Sequence, residues 1–399
     1  MPLDLAQIAA QIEGLAVGLR AEEKEWAERF ERALDLFHNV DSESLKHRIS
    51  ASKTTWLVAG LTTGLVHRHA APACPAEFTV VATDGSHIDV DRHVSVRCSL
   101  INLGVVAMHY GETPDAVLET EASLLSGDEL VIAGPAGRQE LLEGALLGVR
   151  RATEELRALA EVAEGVPAHR PTLALVDGSL ILLGLAAREY EGARSYVREQ
   201  LLDHAYLGVL DRMERLAVDR SFAVASYISF PRSTEVVNML RVAVCPHEPA
   251  DCDRHCAEGG KRECDAVAGI QDRHLFEALL ERGERSPVFV SGSRSVRKHY
   301  GNHHVHFFYL KVDDEIARVE LPQWAAESNE LVDLVHCLIV DQCRRGHGYP
   351  VALMEAHEKA VVTTADREQF WQLVEIALAE DRLTLRSSGK KKSKRLRWV

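Results

Sequence analysis

The tripeptide Asp-Gly-Ser occurs twice in this chain, and each copy closes a short run rich in apolar and β-branched residues. Phe78-Thr79-Val80-Val81-Ala82-Thr83 leads into Asp84-Gly85-Ser86, and Thr172-Leu173-Ala174-Leu175-Val176 leads into Asp177-Gly178-Ser179. Such runs read as strands buried in the middle of a sheet, and a Gly after the carboxylate permits a sharp turn. The ends of strands like these are where α/β sheets place their chemistry. If the two strands are neighbours, two carboxylates meet at one sheet edge. They repel each other unless something positive lies between them, most simply a divalent metal. The competing reading is two unrelated strand-ending turns, since Asp and Gly are ordinary turn residues.

With 399 residues the chain can hold one large domain or two ordinary ones. Its 60 acidic and 46 basic residues give a formal charge of −14, which does not advertise a nucleic-acid binder on average. A local basic groove is compatible with that average. Met1-Pro2-Leu3-Asp4 has no basic region ahead of an apolar core, so no signal peptide is expected. The longest apolar stretch, near Leu173 to Ala187, is interrupted by Asp177, and no membrane span is expected. A soluble, cytoplasmic protein is the expectation.

The chain opens on apolar residues spaced by three or four, from Leu5 through Trp26 and Phe30 to Phe37, which predicts a long amphipathic helix packed on its own domain. Asp41 or Ser42 could cap a second helix through Leu45 and Ile49. From Phe78 to Tyr110 the pattern is β, with His93–Cys98 and Ser99–Met108 as strands and Asp84 at the start of a hairpin or meander. Residues 138–163 predict a helix. On its wheel Glu155 lies at the margin of the apolar face near Ala152 and Leu159, whereas Glu154 points to solvent. Glu155 is therefore the better inward carboxylate, with Glu154 as the alternative. Helices at about Leu180–Tyr190 and Tyr196–Leu216 follow, then strands at His306–Lys311 and Ile316–Trp324 and a helix from Leu331 to Cys343.

A strand carrying Asp, a helix carrying Glu and a second strand carrying Asp resemble the layout of ribonuclease-H-like nucleases, which cut phosphodiesters with paired divalent ions. Beyond order and residue type, specific segments recur. Asp84-Gly85-Ser86, Asp177-Gly178-Ser179-Leu180, Arg318-Val319-Glu320-Leu321-Pro322, and Tyr349-Pro350 followed by Leu353 and Ala356-His357 resemble the NurA-family nucleases from about Phe78 to Phe370. The resemblance implies an α/β fold, a ribonuclease-H-like mixed sheet flanked by helices, here with an N-terminal helical extension. It implies a divalent-metal-dependent deoxyribonuclease, with Mn²⁺ or Mg²⁺, acting at DNA ends as a 5′-3′ exonuclease and single-strand endonuclease. It also implies a homodimer on a HerA-like hexameric ATPase, in end resection and repair or in phage defence. By position, Asp84 and Asp177 match the family's metal-binding aspartates and His357 its C-terminal histidine, which would either ligate the metal or orient water or the leaving group. Glu155 is placed as the third carboxylate. Tyr349 either lines the site or is a core tyrosine ahead of a helix. The alternative function is a non-catalytic adaptor that binds DNA at the outlet of a translocase ring.

The expected organisation is a helical extension at 1–70, the NurA-like domain at 71–380 and a basic tail at 386–399. Within the domain, a segment at about 243–268 carries Cys245, Cys252, Cys256 and Cys264. Four thiols this crowded in a cytoplasmic chain suggest a structural zinc or an iron–sulfur cluster, with His247 or His255 able to replace one cysteine. Cys74, Cys98, Cys337 and Cys343 are scattered and read as ordinary thiols. Arg232, Arg241, Arg294, Arg297, Lys298 and His299 are candidates for phosphate contacts, and the tail could touch DNA or an acidic partner.

Overall fold

The computed structural model describes residues 5–91, 94–185, 194–256, 260 and 262–380. In chain order it begins with α1 (Leu5–Asn39), α2 (Ser42–Ala51), β1 (Gly60–Leu61), β2 (Phe78–Ile88), β3 (Cys98–Tyr110) and β4 (Asp115–Ser126). A small hairpin of β5 (Val131–Ala133) and β6 (Gln139–Leu141) precedes α3 (Ala145–Gly165), β7 (Thr172–Asp177), α4 (Ser195–Arg198), α5 (Leu207–Asp219) and β8 (Phe222–Ile228). Then come α6 (Glu235–Ala243), α7 (Cys252–His255), α8 (Asp272–Leu279), β9 (Phe289–Val290), α9 (Arg294–His299), β10 (Val305–Val312) and β11 (Glu315–Pro322). The last helices are α10 (Gln323–Ala326), α11 (Asn329–Arg345), α12 (Val351–Ala360) and α13 (Thr364–Glu380). No described helix is long and apolar enough to cross a membrane.

These elements form two compact units. One gathers Met1–Ala71, Ser229–Arg297 and His306–Val319; the other gathers Pro72–Ile228, Lys298–Val305 and Glu320–Val399. In the first, Phe37 and Ala33 of α1 and Leu45 of α2 are buried with Met239, Phe276, Phe289, Phe307 and Tyr309. The N-terminal helices thus share a core with a segment more than 150 positions downstream. Apolar side chains at helical spacing are buried only where a second apolar face is supplied, and α6, α8 and β10 supply it. Asp41 caps α2, its carboxylate accepting from Ser44 N at 2.7 Å.

The second unit carries the two repeats. Its sheet runs β8-β7-β2-β3-β4. β2, β3 and β4 form an antiparallel meander, while β7 pairs with β2, and β8 with β7, in parallel. A meander followed by helix-linked parallel strands is the ribonuclease-H-like mixed sheet, and helices flank it. β7 is buried at every position up to Val176, as a strand covered on both faces must be. At the far edge, β4 is mostly exposed and carries Asp115, Glu119 and Glu121, charges that discourage pairing with another chain.

Several local expectations change. β2 does not turn at its Asp-Gly-Ser but runs through it to Ile88, with Gly85 paired to Leu103 of β3. Residues 94–97 form an isolated bridge and a bend rather than a strand, β3 beginning only at Cys98, and His93 lies outside the described residues. The 138–163 helix starts at Ala145, since residues 139–141 complete the β5–β6 hairpin. Of the helix expected at Leu180–Tyr190, the described part is a single turn at Leu183–Leu185; the remainder lies outside the described residues, as does the basic tail.

α12 lies directly on the meander. Asn102 Nδ2 donates to Ala360 O at 2.9 Å, and Ser86 Oγ donates to the same carbonyl. Gly104 of β3 makes this approach possible, because a Cβ there would sit 2.0 Å from Ala356 O. Gly104→Ala is expected to lift α12 from the sheet and cost about 1–3 kcal/mol, the usual scale of overpacking, as read by urea unfolding. An unchanged midpoint would show that the helix is not held by this contact.

Candidate active site

The parallel register brings the two repeats together. Thr83 pairs with Val176, so the next residues are Asp84 and Asp177 on adjacent strands. Successive strand residues face opposite sides. Thr83 and Gly85 accordingly face α3, with Thr83 Oγ1 donating to Glu155 O at 3.0 Å. Asp84 faces α12, where its Oδ2 lies 2.7 Å from His357 Nδ1. A carboxylate can only accept, so Nδ1 carries the proton and the lone pair of a neutral ring is left on Nε2. His357 is 61% exposed at its side chain and Asp84 15%.

Glu155 points into the same cleft from α3. It is 5% exposed, and its Oε1 accepts from Arg151 Nη1 at 2.6 Å. The same Arg151 nitrogen donates to Gly85 O. A Cβ on Gly85 would stand 2.4 Å from that carboxylate oxygen, so this glycine is demanded by close approach and not by a turn. Gly178, by contrast, has φ of +88° and does turn the chain after Asp177. A cleft of about 460 Å³ is lined by Asp84, Arg151, Glu155, Asp177, Ser179 and Tyr206 among others. Glu154 is engaged with Arg150 and Arg157, each at 2.7 Å, and does not line the cleft.

The charges at this edge are unbalanced. Burial pushes the Glu155 carboxyl up to about 8; Arg151 opposes the shift, and the negative charges of Asp84 and Asp177 add to it. Asp177 is also raised, first by burial; a hydrogen bond from Tyr349 works against this, and the charge of Asp84 with it. Tyr349 is itself driven well above the ordinary phenol by burial and the facing Asp177, and its ring packs edge-on against Tyr227 at 5.4 Å. Three carboxylates with one guanidinium among them make a hard-oxygen donor set of the kind a divalent cation takes, although no three of the ligand atoms of Asp84, Glu155, Asp177 and His357 stand within 4.8 Å of one another. Asp84, Asp177 and Glu155 would hold it; His357 meets Asp84 through Nδ1 and is not part of the cleft lining.

Two groups with no role assigned from sequence support the site. Arg151 stands four residues before Glu155, a spacing that itself signals a helical ion pair. Glu320 of β11 is 1% exposed and accepts from Ser179 Oγ at 2.8 Å and Leu180 N at 3.0 Å, holding the chain as it leaves Asp177. In the same unit, ligand atoms of Asp211, Glu214 and His303 lie within 4.8 Å of one another; no sequence motif links them. The cysteines of residues 243–268 belong to the other unit, and all four are free thiols. Arg241, a candidate for phosphate, is instead taken up by Cys264 O, Asp265 and the Trp56 ring.

A ribonuclease-H-like sheet with carboxylates gathered at adjacent parallel strand ends is compatible with a nuclease fold. Residues 78–362 match the model of the NurA domain, and the chain belongs to that family, which is of nuclease type and linked to HerA. No curated protein matches it. Among solved structures, the crystal structure of Drosophila Piwi is similar at 11% identity over 70% of this chain and 29% of that one, with a TM-score of 0.27. A likeness at that level carries no argument.

The raised Glu155 carboxyl predicts how stability depends on pH in chelator-treated protein. Between the ordinary value of 4.5 and about 8 the folded state holds a proton that the unfolded state has lost. Stability should therefore fall as pH rises through that window and level off above it. Glu155→Gln should flatten the slope. Melting curves from pH 5 to 9 in chelator provide the check, and identical profiles for the two proteins would refute the assignment.

Proposed function

We propose that the protein is a divalent-metal-dependent deoxyribonuclease with Asp84, Glu155, Asp177 and His357 at its active site. The observation that carries this reading is the parallel β2–β7 pairing, which sets two aspartates side by side with a buried glutamate across the cleft. Asp84, Glu155 and Asp177 hold the metal, for which Mn²⁺ or Mg²⁺ suits an all-oxygen set. When bound, the ion supplies Lewis acidity to the phosphate and lowers the pKa of a water. The remaining work falls to the protein's own groups. His357, tethered to Asp84 through Nδ1, can take or return a proton at Nε2. Tyr349 donates to Asp177 and keeps that carboxylate oriented. Arg151 keeps Glu155 facing the cleft and offsets part of the negative charge that an incoming phosphate meets.

Family membership supports the finer statements. The substrate is DNA with ends, cut by 5′-3′ exonuclease and single-strand endonuclease action. The protein works as a homodimer with a HerA-like hexameric ATPase in the cytoplasm, in end resection or phage defence. Apart from the family, the crowding of Cys245, Cys252, Cys256 and Cys264 supports a structural metal held by those four thiols.

End-labelled single- and double-stranded DNA incubated with Mn²⁺ tests the reading. Wild type should cut, and Asp84→Ala and Asp177→Ala should each lose on the order of a hundredfold or more in rate, as expected for removal of a metal ligand. Tyr349→Phe should lose roughly tenfold, the scale of a group that orients a ligand. Wild type inert with and without the ATPase, yet able to bind DNA, would make the protein a non-catalytic adaptor. Full activity in both aspartate variants would place the chemistry elsewhere.

A further inference from the structure

The segment between α6 and α8 holds four thiols in one neighbourhood, no three of them within 4.8 Å of one another. Cys245 follows α6, Cys252 and Cys256 stand at the two ends of α7, and Cys264 lies in the single turn Glu263–Val267. Cys256 N donates to Cys252 O at 3.0 Å, fixing those two one helical turn apart. The backbone is tied to residues before β1: Cys252 N donates to Lys53 O at 3.0 Å, and Lys53 N to Ala250 O at 2.8 Å. The sulfurs act on one another electrostatically. Cys256 is close enough to feel Cys252, Cys264 and Cys245 alike.

The sulfurs nevertheless keep their distance. Among the described residues, the group of three or more ligand atoms within 4.8 Å of one another is Asp211, Glu214 and His303; no three of these cysteines meet that spacing. A tetrahedral zinc with bonds of about 2.3 Å needs all its sulfurs about 3.8 Å apart. A [4Fe–4S] cube takes one thiolate on each corner iron, which spreads the sulfurs to roughly 6 Å. His247 and His255 do not complete a tighter set either, for their rings stack on each other at 3.9 Å, nearly parallel.

The surroundings suit a cluster that brings negative charge with its four thiolates. Arg241 Nη2 donates to Cys264 Sγ at 3.8 Å while its guanidinium lies 4.5 Å from the Trp56 ring centroid. Arg262 donates to Cys256 O at 3.0 Å, and Arg48 donates to Cys245 O. Donors to the sulfurs and to their backbone are among the means by which a protein stabilises and tunes such a cluster.

We propose that Cys245, Cys252, Cys256 and Cys264 bind a [4Fe–4S] cluster, one thiolate to each iron. Docking the cluster replaces four S–H bonds with four S–Fe bonds and releases four protons. The proposal rests on the reading of this segment as a metal site and is independent of the carboxylate cleft.

The test is metal analysis of the full-length protein, purified without oxygen and, in parallel, reconstituted with ferric iron, sulfide and a thiol reductant. The expected result is about four irons and four sulfides per chain with a broad absorbance band near about 400 nm. Cys252→Ser should lose iron and band together. Cys74→Ser, which alters an exposed thiol outside the segment, should keep both. One zinc per chain with no iron would overturn the cluster while leaving a metal site. Neither metal after reconstitution of wild type would overturn both the cluster and the metal reading. Equal iron in wild type and Cys252→Ser would also overturn the proposal.

Discussion

β2 and β7 pair in parallel up to Thr83 and Val176, so the next residue of each strand is an aspartate. Most of the site's geometry follows from that register. A slip by one residue would turn Asp84 from α12 towards α3 and break its contact with His357. The register is held from several sides: by the buried apolar run of β7, by the long antiparallel pairing of β2 with β3, and by Thr83 reaching the backbone of α3. The carboxylates repel one another at close quarters, and packing elsewhere in the unit holds them there. Stability is thereby given up at this edge of the sheet.

The strand ends were legible because buried parallel strands leave an unmistakable trace: apolar, β-branched and bounded by a small residue. Glu155 was legible from its place on the helical wheel of α3. What could not be read locally was the purpose of each glycine. Gly85 and Gly178 stand in identical tripeptides, yet one is a clearance for a carboxylate from a helix 70 residues away and the other is a turn. Only tertiary contact separates them. The same limit hid the role of Glu320, whose partner Ser179 is 141 residues distant, and the pairing of Asp211 with His303. Arg151 was within reach, since a basic residue one turn before an inward glutamate is a local signal.

The N-terminal helices were expected as an extension to a single downstream domain. Their apolar stripe was read correctly as a packing face, but α1 and α2 share their core with residues 229–297 and 306–319. Apolar periodicity tells that a helix is covered and on which side; it carries no information about which later segment does the covering. The same holds for the segment of residues 243–268, whose cysteines were conspicuous while their spacing in three dimensions was not.

That division of the chain also sets an order in time. Residues 72–228 supply β2, β3, β4, β7 and β8 as one continuous stretch, so Asp84, Glu155 and Asp177 can be assembled early on the ribosome. His357 sits on α12, and at roughly 5–20 residues per second it emerges many seconds later. A nascent chain therefore carries the three carboxylates well before it carries the histidine.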